Sequence, residues 1–483
     1  MNKKIIIYLT SFLIILSFYA LITNMPESKT TYHKDQLKTI IHELDNGLKI
    51  YMSVYKDAPR IQTNIAIKAG SKYDPHHATG LAHYLEHMLF KGTPKRPQSV
   101  IINKELDSMG GEYNAFTSKH MTGYHIKVPY TQHMNAIDIL FDMIFNSSLK
   151  KKDMKSEQLV VLEEHKKSLD EPSHIHMITS TAVQKHSGLK YPIIGNSKSI
   201  LNWKHSDLVK YKENFYNPSN IVFSICGKFN EKKVLDTITK LLSNVKYCNP
   251  TELVVPEYQE VDEVSSLVTY IPDLKIEHGR AKNGITVWTE KKPTEQVHCT
   301  VSFLIPGLHN EDRYALNILS TILGGGMSSR LFTIVREKYG LAYTVNSDTD
   351  FYEEGGEFTV YAGLDKKRLK KALTLIVKEV LKLTKYLVTK EELSRARKII
   401  LGEIELTQED TMAIAEFYGG QLLFKPQSKI LTYKQLSNKY KSKKITRKYL
   451  REIARKYIKK ENLVIVLLGN CKKNECISVL NKI

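Results

Sequence analysis

Cysteine is scarce and poorly placed for a scaffold. Cys226, Cys248, Cys299, Cys471 and Cys476 are an odd number with no C-x-x-C pair, which points to neither a zinc ribbon nor a disulfide framework, and they read as mostly buried thiols. A phosphate cradle is also missing. The run Gly324-Gly325-Gly326 has neither the Walker spacing nor a following Gly-Lys-Ser or Gly-Lys-Thr. Acidic residues are in the minority, 51 against 71 Lys and Arg, giving a net charge of +20. No nucleic-acid-binding motif accompanies that charge, and the lysines are spread along the chain, many on what read as solvated helix faces between Lys434 and Lys460. No nucleic-acid partner is expected. A Lys- and Ile-rich composition accounts for the charge, with a preference for acidic or neutral substrates as a weaker functional reading.

The N-terminus carries an uncharged run, Ile5 to Thr23, after Lys3 and Lys4. At about 1.5 Å per helical residue it is long enough to cross most of a bilayer's hydrocarbon core. A cleaved secretory signal and a retained anchor both leave the positive end in the cytoplasm and the rest outside. No A-x-A-like site follows, because Phe18 stands where a signal peptidase prefers a small residue before Ala20, and no nearby Cys offers a lipid attachment. The expectation is an N-terminal hydrophobic helix kept as an anchor, residues 1–35 with its polar linker. The remainder would be membrane-anchored, or secreted if cleaved, on the periplasmic or extracellular side.

At 483 residues, 42% of them hydrophobic, the chain suits two to four domains. It also resembles itself. Asn46-Gly47-Leu48-Lys49-Ile50 is echoed by Asn283-Gly284-Ile285-Thr286-Val287, and Asn220 to Gly227 by Asn462 to Gly469, at similar offsets of about 240 residues. Each Asn-Gly is a turn into a strand. Apolar runs such as Ile61 to Ile67 and Thr300 to Leu304 precede helical patterns such as Met134 to Phe145 and Leu369 to Leu383. The expected class is α+β, two homologous domains of mixed, mainly antiparallel sheet covered by helices, over residues 36–248 and 281–483. Residues 249–280, with Pro250, Pro256, Pro272 and Gly279 among acidic residues, have linker composition.

Within the first copy, Gly80 to Phe90 reads as a short helix ended by Gly92, Thr93 and Pro94. His83 and His87 stand four apart, on one helix face, so that their imidazoles can reach a single ion, with Glu86 beside them. Neutral imidazoles suit zinc, and a catalytic zinc takes three protein ligands, so a third must come from elsewhere. The order H-x-x-E-H mirrors H-E-x-x-H, in which the carboxylate serves as base and not as ligand. Leu81, Ala82, Leu85, Met88 and Leu89 interleave with these residues, so the segment should be largely buried, and buried ionisable groups need partners.

These residues, followed by Met88-Leu89-Phe90-Lys91-Gly92-Thr93, resemble the family of zinc peptidases that includes pitrilysin, insulin-degrading enzyme and the mitochondrial processing peptidase. The resemblance implies a third ligand on a later helix with another glutamate seven residues before it. Ser156 to His165 fits, making Glu164 the ligand, with Glu163 as its neighbouring alternative, and Glu157 a carboxylate that orients a ligating histidine. Gly110 to Ser118 is similar to the family's edge strand, to which an extended substrate adds by backbone hydrogen bonds, with Asn114 and Ala115 beside the scissile bond. Arg336 and Tyr343 match the substrate-contacting pair of the family's second half. Leu316 to Leu323, at the place of the motif helix in the second copy, offers no imidazole. A zinc endopeptidase acting on unfolded peptides is implied, with one Zn2+ per chain and a homodimer or related heterodimer in which Arg336 and Tyr343 complete the partner's site. The rival is a non-catalytic peptide-binding subunit of the same fold.

Overall fold

Several strands read as nearly unbroken apolar runs, which is what burial on both faces of a sheet demands. The protein, seen in a computed structural model, is described over residues 37–243, 245 and 264–483. A first sheet contains β1 (Leu37–Glu43), β2 (Lys49–Tyr55), β3 (Arg60–Ile67), β4 (Glu112–Thr117), β5 (Thr122–Pro129) and β6 (Ile221–Gly227) in the order β1-β2-β6-β3-β5-β4. The β2–β6 ladder is parallel, and those joining β6, β3, β5 and β4 are antiparallel. A second sheet contains β7 (Ile276–Arg280), β8 (Thr286–Glu290), β9 (Gln296–Ile305), β10 (Ala342–Phe351), β11 (Gly356–Asp365) and β12 (Leu463–Leu468), ordered β10-β11-β9-β12-β8-β7, with β8–β12 parallel. Taken strand for strand, the two orders are the same. Gly47 and Gly284, at φ +84° and +94°, make the two matching turns in the left-handed region that glycine tolerates. β7 falls inside the stretch read as linker, and its ladder with β8 makes it part of the second sheet.

In the first half, α1 (Leu81–Leu89) lies between β3 and β4, and α2 (His133–Asn146), α3 (Lys151–Asp170) and α4 (Ile175–Val183) lie between β5 and β6. In the second come α5 (Asp312–Gly324), α6 (Leu369–Lys385), α7 (Lys390–Leu406) and α8 (Thr411–Phe424). Side chains alternate across each strand. Ile50, Met52, Phe223 and Ile225 therefore share a core with residues of α1 and α2. Tyr51, Val222 and Cys226 on the other face meet Ile414, Ala415, Tyr418 and Leu422 of α8.

The cover is reciprocal. A helix of the second half lies on the first sheet, with Tyr51 stacked on Tyr418 at 4.6 Å between centroids. A helix of the first half lies on the second sheet, where Ile175, Ile178 and Ala182 of α4 pack against Trp288, Val466 and Leu468, and the hydroxyls of Thr179 and Thr300 are 2.6 Å apart. Ion pairs also bridge the halves, Lys68 and Lys72 to Glu353 and Lys72 to Glu354.

Among the described residues no helix is long and apolar enough to cross a membrane. The 20-residue α3 has the length, but Lys, Asp and Glu are distributed along it. The N-terminal helix expected over residues 5–23 lies outside the described residues. Membrane anchoring and an outer-face location are therefore corrected. They rested on the length and composition of one terminal run, and nothing in the described structure supports them.

Candidate metal centre and its cavity

The motif helix begins on a buried acid. The backbone N–H groups of Gly80 and Ala82 donate to Asp74 at 2.6 and 2.9 Å, which satisfies donors that a helix start leaves unpaired and places a carboxyl at the positive end of the helix dipole. Burial pushes the Asp74 carboxyl up against the pull of those donors. Leu81, Ala82, Tyr84, Leu85, Met88 and Leu89 are all buried, and this packing sets the rotation of α1.

His83 and His87 then converge, with their Nε2 atoms 3.3 Å apart. α3 crosses beside them and supplies Glu164, whose Oε1 lies 3.8 Å from His83 Nε2 and whose Oε2 lies 3.5 Å from His87 Nε2. One ligand atom from each of the three lies within 4.8 Å of the others. The neighbouring Glu163 instead reaches Lys166 at 2.6 Å on the exposed side of the helix.

Glu157, two turns before Glu164, accepts a hydrogen bond from His87 Nδ1 at 2.9 Å and pairs with Lys91. An ionised carboxylate only accepts, so the proton sits on Nδ1 and the Nε2 lone pair is left facing His83 and Glu164. Burial pushes Glu157 up, but hydrogen bonds from His87 and Lys91 outweigh it and hold the group below its ordinary range. Burial, with help from His87, drives His83 down to about 3, leaving a neutral imidazole. At His87 burial also works against protonation, yet Glu157, Glu164 and Glu86 overcome it and raise the group. The field at this point favours a cation. Two imidazoles and one carboxylate are a donor set that zinc accepts, so the residues present fit the metal.

Glu86 is buried on the same helix, 9% exposed. Burial raises its carboxyl against a hydrogen bond from Thr117, the bond running from Thr117 Oγ1 to Glu86 Oε2 at 2.6 Å. His83, Glu86, His87 and Glu164 line one wall of a cavity of about 830 Å3. Ala115 and Thr117 of β4 line it as well, and Asp348 and Asp350 of β10 face it from the second half.

Among the described residues β4 has only β5 beside it, so its outer edge presents backbone groups to the surroundings. Asn114 is outside the cavity lining, and its side chain accepts from the Ala115 N–H at 2.9 Å. Arg336 belongs to a π-helical turn, Phe332–Lys338, and its guanidinium covers the Tyr343 ring at 4.9 Å. Tyr343 is 74% exposed, and neither residue lines the cavity. The structure pairs them with one another and does not bring them to His83, His87 and Glu164. Sequence reading passed over Lys91, although it stands four residues after His87, and Thr117, although it lies in the strand singled out.

Residues 52–197 match the family model described as insulinase, peptidase family M16, and residues 202–400 match that of the peptidase M16 inactive domain. The chain belongs to peptidase family M16. This M16 chain is 32% identical over 368 residues to an uncharacterized zinc protease of Bacillus subtilis, covering 76% of this chain and 83% of that one. It is 30% identical over 383 residues to one from Rickettsia felis, covering 78% and 86%. Its fold is similar to that of a protease from Helicobacter pylori, with a TM-score of 0.78 at 22% identity over 90% of this chain and 100% of the other. A peptidase M16 inactive domain from Pseudomonas fluorescens gives 0.75 at 17%, over 90% and 98%. Within the M16 chain His83, His87 and Glu164, the group that could hold a metal, lie in the stretch matching the first model, while α5, in the stretch matching the inactive domain, has no histidine.

Proposed function

We propose that the protein is a zinc-dependent endopeptidase that hydrolyses extended or unfolded peptides. The observation that carries this is the meeting of His83, His87 and Glu164, from two separate helices, beside a buried Glu86 on a cavity wall next to an open strand edge. The names of the relatives, zinc proteases, support it. When bound, zinc supplies a Lewis acid that polarises a carbonyl and makes water easier to deprotonate.

The chain's own residues do the rest. A peptide laid along β4 gains backbone hydrogen bonds at the level of Asn114 and Ala115. A packed domain has no free strand to offer there, so unfolded segments are selected. Glu86, whose carboxyl burial raises above its ordinary range, takes a proton from the attacking water and returns it to the leaving amine. Glu157 keeps His87 in the ligating tautomer. Arg336, half-buried, and Tyr343, exposed, neither of them lining the cavity of their own chain, suit a pair that contacts substrate in the site of a second subunit, where a guanidinium and a phenol can anchor peptide and stabilise developing negative charge.

Metal content and peptide cleavage of two variants test the reading. Glu164→Gln should lose most of about one zinc per chain. Glu86→Gln should keep it while turnover falls by about 10² to 10⁴. Unchanged cleavage by Glu86→Gln would overturn the proposal, and a zinc-loaded wild type that cleaves no peptide would favour a non-catalytic peptide-binding subunit.

A further inference from the structure

Among the described residues the Glu86 carboxylate receives one hydrogen bond, that from Thr117 Oγ1 to Oε2. The hydroxyl has a single proton to give. Its neighbour Thr122, 3.5 Å away, donates its own proton to the carbonyl of Ala69, so it does not compete to supply Glu86. One carboxylate oxygen is thus tied and the other is left towards the cavity.

Without that tie, a carboxylate on a short flexible stem sits beside His83 three residues before it and His87 one residue after it. It would be free to swing into the ligand set, where it could no longer collect a proton from water. The strand adds a second element. Along β4 exposed and half-buried residues alternate, so Thr117 shares the inward face with Ala115, while the backbone of the same strand forms the open edge. The group that steers Glu86 therefore rides on the segment a peptide would extend.

We propose that Thr117 is a positioning residue for Glu86, holding one carboxylate oxygen so that the other stays the proton acceptor, and that pairing of substrate with β4 firms this hold. The inference rests on the peptidase reading above. It is tested with Thr117→Val, which keeps the β-branched shape a strand favours and removes the hydroxyl, and with Thr117→Ser, which restores it. On an extended peptide, Thr117→Val should lower kcat by about tenfold to a hundredfold, with KM within about twofold. Bound zinc should remain as in the wild type. Thr117→Ser should return to within about threefold of the wild type, and Thr117→Val added to Glu86→Gln should cost nothing further.

An active wild type with undiminished kcat in Thr117→Val overturns the assignment. So does loss of zinc in Thr117→Val, or an equal loss in the Glu86→Gln background, since either makes the residue a support of the strand. A zinc-loaded wild type that cleaves nothing overturns the peptidase reading instead.

Discussion

The hydrogen bond between Glu157 and His87 decides what His87 can do. With the carboxylate in place, Nδ1 carries the proton and Nε2 is left free to act as a ligand. In Glu157→Gln the neutral amide no longer demands that tautomer and no longer neutralises Lys91. Zinc affinity, measured by competition with a chelator, should weaken by about 10- to 100-fold while the fold survives. Affinity within about threefold of the wild type would deny Glu157 its orienting role. At this scale much of the centre could be read from the chain, because His83, Glu86 and His87 are four-residue neighbours whose geometry a helix dictates. Glu164 needed the family resemblance, as nothing local says which later carboxylate will arrive. Thr117 and Lys91 were missed because a threonine in a strand and a lysine on a helix are ordinary residues until tertiary contacts give them partners.

At the scale of elements, α8 approaches the first sheet closely at Gly419. A Cβ on Gly419 would come within 2.5 Å of Ser224 Oγ. That oxygen ends a short rotatable side chain, so Gly419→Ala should be close to neutral, the helix propensity of alanine offsetting a small shift. Gly419→Val has no such escape and should destabilise by about 1–3 kcal/mol, read from denaturant unfolding. Equal stability of the two variants would show that the helix does not rest on Ser224. Strands β3 and β9 and helices α2 and α6 were legible from their periodicity, and so was the repeat, because its Asn-Gly turns recur in sequence. β7 was not, since Pro272 and Gly279 gave its surroundings the look of a linker. The π-helical turn holding Arg336 leaves no trace in composition. Nor did any pattern show that α4 and α8 would each cover the other half's sheet, because an apolar helix face does not say which surface it will meet.

For the whole molecule, the position of Arg336 and Tyr343 away from the cavity of their own chain makes the assembly proposed above measurable by mixing. Chains bearing Glu86→Gln lack the proposed base, and chains bearing Tyr343→Phe lack the phenol. If sites are completed in trans, random pairing of the two inactive variants should restore about a quarter of wild-type activity, since half the dimers are mixed and one of their two sites is intact. No recovery on mixing, in a protein shown to be dimeric, would place both residues in service of their own chain. The reciprocal helices carry a further consequence for how the protein comes into being. His83, His87 and Glu164 leave the ribosome early, yet the sheet behind their helices keeps an apolar face bare until Thr411 to Phe424 have been translated. A nascent chain therefore carries His83, His87 and Glu164 long before their platform is sealed, and any hydrolytic power would emerge only after the helix of the second half has been made.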